Sequence, residues 1–200
     1  GSIGGALLDQ IHEQQKKLRE QKIDIQVMAI ANIDGMIFNV DGINLEGWRD
    51  QVKANGKKTN LDEILDFVKE VKPLNPIFVD CTASYDLPER YIDILKAGMN
   101  IATPNKRANS MTMDFYRKLR QTANEMHVRF LYETNVGAGL PIIDTLQNLF
   151  KSGDKLTGFN GIMSGSLSYI FGRLDEGVSF SKAVLEAKEK RFTEPDPRDD

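Results

Sequence analysis

The chain has little of what metal and disulfide centres are made from. It holds one cysteine, Cys81, and two histidines, His12 and His127. A single thiol excludes an internal disulfide and suits a reducing compartment, so a cytoplasmic location is expected. With no CxxC pair and no HExxH run, a zinc site is not expected. No apolar run approaches the roughly 20 residues that a membrane span needs, so no membrane partner is expected. Lysine and arginine number 26 against 29 aspartates and glutamates, a net charge of −3. No basic field therefore exists to draw in nucleic acid or an acidic membrane.

What remains is ordinary globular composition, 40% hydrophobic and 28% charged. A length of 200 residues suits one large domain or two small ones. Gly1 to Gly5 lead directly into an apolar series through Leu7, Leu8, Ile11 and Leu18 at helical spacing. Residues 25–31 are a buried-strand run. Asn60-Leu61-Asp62-Glu63 is a capping box before Ile64, Leu65, Phe67, Val68 and Val71. Residues 76–80 form a short apolar strand, and Pro88 opens a helix closed by Gly98. A strand at 99–103, a helix at 112–126 and a strand at 128–132 follow.

This alternation predicts a Rossmann-type, doubly wound parallel sheet with helices on both faces. After Pro141 the texture changes. A helix through Ile142 to Leu149 precedes an amphipathic strand at 155–163. Ser164 leads into a helix through Tyr169 to Leu174, and Ser181 caps another. The expected domains are 1–135, binding a dinucleotide, and 136–200, the start of an α+β substrate and dimerisation domain. The strand and the first glycine that should precede Gly1 are missing from the run, so the sequence reads as a piece of a longer protein, cut at both ends.

Six segments carry chemistry. Gly1-x-x-Gly4 before a helix has the form of the second half of GxGxxG, where glycines let a pyrophosphate approach a helix N-terminus. The strand run 25–31 is followed by Asn32, where an NAD site usually places an acid for the ribose hydroxyl. Asn32 does not repel a 2′-phosphate, which favours NADP and leaves dual use open; the lesser alternative is that it only starts a turn. Asp80-Cys81-Thr82-Ala83-Ser84 and Thr103-Pro104-Asn105-Lys106 each follow a strand at its carboxyl end, where open α/β sheets bind ligands. Cys81 reads as a small packing residue, with no neighbour in sequence to activate it. Glu133-Thr134-Asn135-Val136-Gly137-Ala138-Gly139-Leu140 is glycine-rich but lacks the Lys-Ser/Thr ending of a phosphate loop. It suits a hard monovalent cation held by carbonyls and one carboxylate, or an interdomain hinge. Glu194-Pro195-Asp196-Pro197-Arg198-Asp199-Asp200 packs four carboxylates and one guanidinium into seven positions. Such a segment needs a compensating cation or ligand amine, or else is a solvated acidic loop.

Together, the segments at 102–106, 133–141 and 194–200 resemble homoserine dehydrogenase, in particular the dehydrogenase half of the bifunctional aspartokinase–homoserine dehydrogenases. The resemblance implies reduction of L-aspartate 4-semialdehyde to L-homoserine with NADPH or NADH, within threonine and methionine biosynthesis. It implies cofactor contacts at Gly1, Ile3, Gly4, Asn32, Thr82 and Lys106, with Lys106 also the catalytic group facing the substrate hydroxyl. Glu194 would receive the substrate ammonium, with Asp200 beside the reacting end. Sodium or a similar ion would lie on Glu133 and the backbone oxygens of Val136, Ala138 and Leu140. It further implies a homodimer or larger assembly and an aspartokinase domain upstream. One departure stands out: Lys190-Arg191-Phe192 replaces an aliphatic–Gly–Tyr triplet. If the glycine ended a helix at positive φ, Arg191 would carry a strain of roughly 1 kcal/mol there. Another Rossmann amino-acid dehydrogenase, or a nucleotide-binding piece without turnover, are the alternatives.

Overall fold

The structure, a computed structural model, describes residues 1–162, 164–193 and 196–199. The chain divides into two units, Gly1–Asn135 and Val136–Asp200.

In the first unit, helix α1 (Ser2–Glu20) starts at Gly1 with no side-chain cap and no acid in its first turn. Its first N–H groups are therefore left for other partners. A hairpin follows, with β1 (Ala29–Ala31) antiparallel to β2 (Met36–Phe38). Helix α2 (Trp48–Asn55) lays Trp48 and Val52 on Ile30 and Ile43. Arg49 reaches from α2 to Asp9 on α1, at 3.4 and 3.2 Å. The arm passes close over Gly5, where a Cβ would lie 2.7 Å from Nη2 of Arg49 and make the guanidinium shift.

Asn60 caps α3 (Leu61–Val71), accepting from the Asp62 N–H at 2.9 Å, but the expected box does not close: the Asn60 N–H meets the Met36 sulfur and Glu63 pairs with Lys57. Strands β3 (Ile77–Val79), β4 (Asn100–Ala102) and β5 (Phe130–Leu131) then form a parallel sheet in the order β3-β4-β5. The connections are helical. A 3₁₀ turn at Leu87–Arg90 carries Pro88 into α4 (Tyr91–Lys96), and short α5 (Arg107–Ser110) precedes α6 (Met113–Glu125). The Thr112 hydroxyl accepts from the Phe115 N–H to cap α6. Between sheet and helices lie Leu65, Tyr91, Ile94, Leu95, Ile101 and Leu119. Each such side chain contributes roughly 1.5–3 kcal/mol by leaving water.

The strand expected over 25–31 is only three residues long and joins β2, not the parallel sheet. Upstream of it, the Val27 and Met28 carbonyls are taken by the loop N–H groups of Ile43 and Asn39. An apolar run specifies burial, and pairing goes to whichever backbone is adjacent. Among the described residues no strand joins the two sheets.

In the second unit, α7 (Ile143–Lys151) begins two residues after Pro141. Helices α8 (Gly165–Asp175) and α9 (Phe180–Glu189) pack around Ile170, Ala183 and Ala187. Ser164 caps α8 by accepting from the Leu167 N–H at 3.1 Å. The residue at the start of α9 is Ser179, not the expected Ser181. Residues 155–162, expected as a strand with Met163, have no regular secondary structure, and no strand forms among the described residues of this unit. Met163 lies outside the described residues. Alternation alone cannot make a strand without a partner to take its N–H and C=O groups. The apolar side chains of this stretch point to water: Leu156 is 55% exposed and Ile162 81%. No helix among the described residues is long and apolar enough to cross a membrane.

Candidate nucleotide-binding and catalytic site

At the carboxyl ends of β3 and β4 three segments of the first unit converge. The first turn of α1 comes against the loop after β3: a Cβ built on Gly4 lies 3.4 Å from the Cβ of Cys81. Gly1 and Ile3 are exposed on the same turn. The Ser2, Ile3 and Gly4 amides precede the first intrahelical bond, from Gly5 N–H to the Gly1 carbonyl. A helix start with free amides, no acid and a glycine against the neighbouring loop fits the pyrophosphate of a dinucleotide.

The loop after β3 is held by Asp80, which is 1% exposed. Its Oδ1 accepts from the Thr82 N–H at 2.7 Å. The Thr82 hydroxyl oxygen accepts from the Ser84 N–H at 3.1 Å, and Thr82 itself is exposed. Burial pushes the Cys81 thiol up from its usual pKa, and the nearby Asp80 charge adds to this. Cys81 is thus a neutral packing group and not a nucleophile.

The turn after β4 is built from buried groups that carry an exposed one. Thr103 and Asn105 are buried and Lys106 is exposed. The Thr103 hydroxyl donates to the Asp80 carbonyl at 2.9 Å and accepts from the Asn105 N–H at 2.9 Å. Asn105 donates to Oδ2 of Asp80 at 3.3 Å and to the Ser84 carbonyl at 2.9 Å. Its Oδ1 accepts from the Arg107 N–H at 3.0 Å. Beneath them the Tyr91 hydroxyl donates to Oδ2 of Asp80 at 2.5 Å. Burial, and then this bond to Asp80, holds the Tyr91 phenol far above its usual range, so it stays a donor. Sequence reasoning placed Thr82 and Lys106 at strand ends but missed the Asp80–Tyr91–Asn105 cluster that joins them. The signal was an aspartate closing an apolar strand, which costs free energy unless donors surround it.

A second hydrogen-bonded chain supports the start of the glycine-rich segment. Arg120 stacks on Tyr116 and donates to Asn109 at 3.0 Å. Asn109 donates to Asn135 at 2.7 Å, and Asn135 donates to the Thr103 carbonyl at 3.1 Å. Glu133 belongs to the first unit, half-buried in the 3₁₀ turn Glu133–Asn135. Val136, Ala138 and Leu140 belong to the second. Gly137 and Ala138 both take positive φ, +73° and +51°. A side chain at 137 would be strained by its positive φ, and its Cβ would displace Cδ1 of Ile142, 2.3 Å away. The Leu140 carbonyl accepts from the Ile142 N–H at 2.9 Å, which leaves it one lone pair. Among the described residues no three His, Cys, Asp or Glu side chains could hold a metal ion. A hard monovalent ion on backbone oxygens and one carboxylate requires no such cluster.

Asn32 closes the β1–β2 hairpin. Its Oδ1 accepts from the N–H groups of Asp34 at 2.7 Å and Gly35 at 3.1 Å, and its Nδ2 donates to the Asp34 carboxylate at 3.3 Å. The acid missing directly after β1 therefore stands two residues on. Of the acidic segment, Glu194 and Asp200 lie outside the described residues. Within it Arg198 clasps Asp196, and that guanidinium holds the carboxyl well below the usual carboxylate range. At the preceding triplet, Arg191 sits at φ +59° in a Schellman turn ending α9, with the Phe192 N–H bonded to the Ala187 carbonyl.

Comparisons with known proteins place the chain in a family. The model of the homoserine dehydrogenase NAD binding domain matches residues 1–133, and that of homoserine dehydrogenase matches 141–200. The bifunctional aspartokinase/homoserine dehydrogenase of Haemophilus influenzae is 46% identical over all of this chain and 24% of its own length. Homoserine dehydrogenase of Schizosaccharomyces pombe is 39% identical over all of this chain and 55% of its own. A hyperthermophilic archaeal homoserine dehydrogenase in complex with NADPH has a TM-score of 0.78 at 26% identity, covering 98% of this chain and 60% of that one. The chain spans about a quarter of the bifunctional relatives and about half of the fungal one. Its first unit has the α/β Rossmann-type NAD-binding fold, and the chain belongs to the homoserine dehydrogenase family.

Proposed function

We propose that the protein carrying these residues interconverts L-aspartate 4-semialdehyde and L-homoserine with a nicotinamide dinucleotide. The observation that carries the reading is the convergence, at the carboxyl ends of β3 and β4, of the α1 N-terminus, the Thr82 loop and the Lys106 turn. The bound dinucleotide would supply or accept the hydride. The amides of Ser2, Ile3 and Gly4 would hold its pyrophosphate, and Thr82 would present a hydroxyl to its nicotinamide half. Lys106 would hold positive charge at the reacting oxygen, where negative charge develops in the transition state. Glu194 would take the substrate ammonium, with Asp200 beside the reacting end. A sodium-like ion on Glu133 and the carbonyls of Val136, Ala138 and Leu140 is part of the proposal, supported by the paired positive-φ residues there.

For the cofactor, the amide at Asn32 favours acceptance of NADP(H), as does the NADPH bound by the archaeal relative. Asp34 beside it favours NAD(H) as well, so both are proposed to serve. Several relatives join the dehydrogenase to an aspartokinase, and the same fusion, in a homodimer or larger assembly, is proposed for this protein.

The test uses a complete dehydrogenase containing these residues. Lys106→Ala should lower kcat about 100-fold or more, the scale of removing one transition-state charge contact. Glu194→Gln, which keeps shape and removes charge, should mainly raise the KM for homoserine. Near-normal kcat in the first variant would refute the role of Lys106. A preference for NADH over NADPH above tenfold, about 1.4 kcal/mol, would refute the argument from Asn32.

A further inference from the structure

Asp80 is a buried carboxylate to which the proposed chemistry gives no work. All three of its side-chain partners are neutral donors, and they come from different places. Oδ1 receives the Thr82 N–H from the loop after β3. Oδ2 receives Asn105 Nδ2 from the turn after β4, and the Tyr91 hydroxyl from α4. A side chain that accepted on one oxygen could hold one of these loops. Only a carboxylate accepts on both.

The backbone at the same point is equally tied. The Asp80 N–H donates to the Ala102 carbonyl at 3.1 Å, and the Asp80 carbonyl accepts from the Thr103 hydroxyl. The Asp80 side chain thus bonds both the loop bearing Thr82 and the turn bearing Lys106, and Asn105 returns the link from the turn to the Ser84 carbonyl. Tyr91 is itself fully buried, its ring 5.9 Å from that of Phe130 and its hydroxyl on Oδ2 of Asp80.

We propose that Asp80 is a positioning residue that sets the spacing between Thr82 and Lys106, holding the first loop with one oxygen and the second with the other. The inference rests on the reading of those two residues as facing the cofactor and the reacting oxygen. It adds a requirement of its own: the site needs a two-sided acceptor at residue 80, although that residue touches neither ligand.

The direct variant is Asp80→Asn. A carboxamide has one accepting oxygen and one donating nitrogen. Whichever way it turns, either the Thr82 N–H or the Asn105 amide faces a donor, while the Tyr91 hydroxyl can turn its proton to Thr103, 3.1 Å away. Misplacement of about 1 Å can cost about 100-fold in rate. In the complete dehydrogenase, kcat per folded molecule should therefore fall at least tenfold, while the Kd of NADPH changes less than threefold. With deuterated NADPH the primary isotope effect on kcat should rise, because hydride transfer becomes slower than product release. A merely structural aspartate would lower the melting temperature and leave kcat per folded molecule and the isotope effect alone.

Asn105→Ser tests the same link from the other side and covers a failure of Asp80→Asn to fold. Its hydroxyl still accepts from the Arg107 N–H, and only the two amide donations are lost. The same signature is expected at a smaller amplitude. Unchanged kcat and isotope effect in both folded variants, or in Asn105→Ser alone if it is the one that folds, overturn the inference. If Lys106→Ala is inactive in the same assay, the functional reading survives that outcome. If Lys106→Ala is active, the functional reading itself has failed.

Discussion

The two units spend their apolar residues differently. In Gly1–Asn135 the aliphatic side chains of β4, α4 and α6 close on one another, and Tyr91, Ile94, Leu95, Ile101 and Leu119 are fully buried. In Val136–Asp200 the described buried apolar residues are Ile170, Ala183 and Ala187. There Phe150, Phe159, Phe171 and Phe180 are 47–61% exposed. Both units have amphipathic helices. Periodicity states which side of a helix is apolar; it does not supply the layer that covers it. A parallel sheet with helices against it is such a layer, and a pair of helices around two alanines is a thin one.

The sharpest break of this contrast is a pair of truncations. Ile94→Ala should destabilise the first unit by about 4 kcal/mol, near the upper part of the range for buried isoleucine. Ile170→Ala should cost about 2 kcal/mol, because a small cluster collapses around the cavity more easily. Urea unfolding followed by hydrogen exchange separates the units, and equal costs would show that the second core is as tight as the first.

Smaller effects are expected at the helix ends. Lys22 after α1 and Arg191 after α9 take positive φ, +62° and +59°, each in a Schellman turn. Replacing either by glycine should raise stability by up to about 1 kcal/mol, through relief of left-handed strain. The gain is partly offset by the greater freedom of the unfolded chain. If Lys22→Gly stabilises and Arg191→Gly does not, side-chain contacts in the second unit compensate its strain. Thermal melts of the two variants decide this.

The smallest effect is on acid stability. Asp9 in the first unit and Glu186 in the second have pKa values lowered chiefly by hydrogen bonds from Arg49 and Arg173. A carboxyl lowered in the folded state stabilises it above the unfolded pKa, near 3.8 for Asp9 and 4.5 for Glu186. That contribution disappears as pH falls through the lower folded value. Arg49→Gln and Arg173→Gln should each flatten the loss of stability between pH 5 and about pH 2, and added salt should shrink the effect more at the exposed Arg49–Asp9 pair than at the half-buried Arg173–Glu186 pair. An unchanged pH profile in either variant would remove that pair from the account of its unit.

How far the residues alone revealed this molecule depends on the range of the interaction involved. The cap at Asn60, the turn at Gly98 and the helix starts at Thr112 and Ser164 were legible because donor and acceptor sit within a few positions. The partner of β1 and the fate of residues 155–162 were not. An apolar or alternating run declares a wish for burial or pairing, and the backbone that answers it lies elsewhere in the chain. Asn32 shows the same limit at the site: its place after a strand was clear, while its commitment to the hairpin and to Asp34 was not.

By itself the sequence determined the α/β alternation, the strand-end positions of Thr82 and Lys106, and the family. Each follows from local pattern or from motifs short enough to read in place. Only the tertiary structure decided that one carboxylate would hold both loops. Asp80 and Asn105 are 25 residues apart and meet because β3 and β4 lie side by side in parallel. A hydrogen bond carries no trace in sequence of the fold that closes it. Its two ends become neighbours only when the sheet has formed.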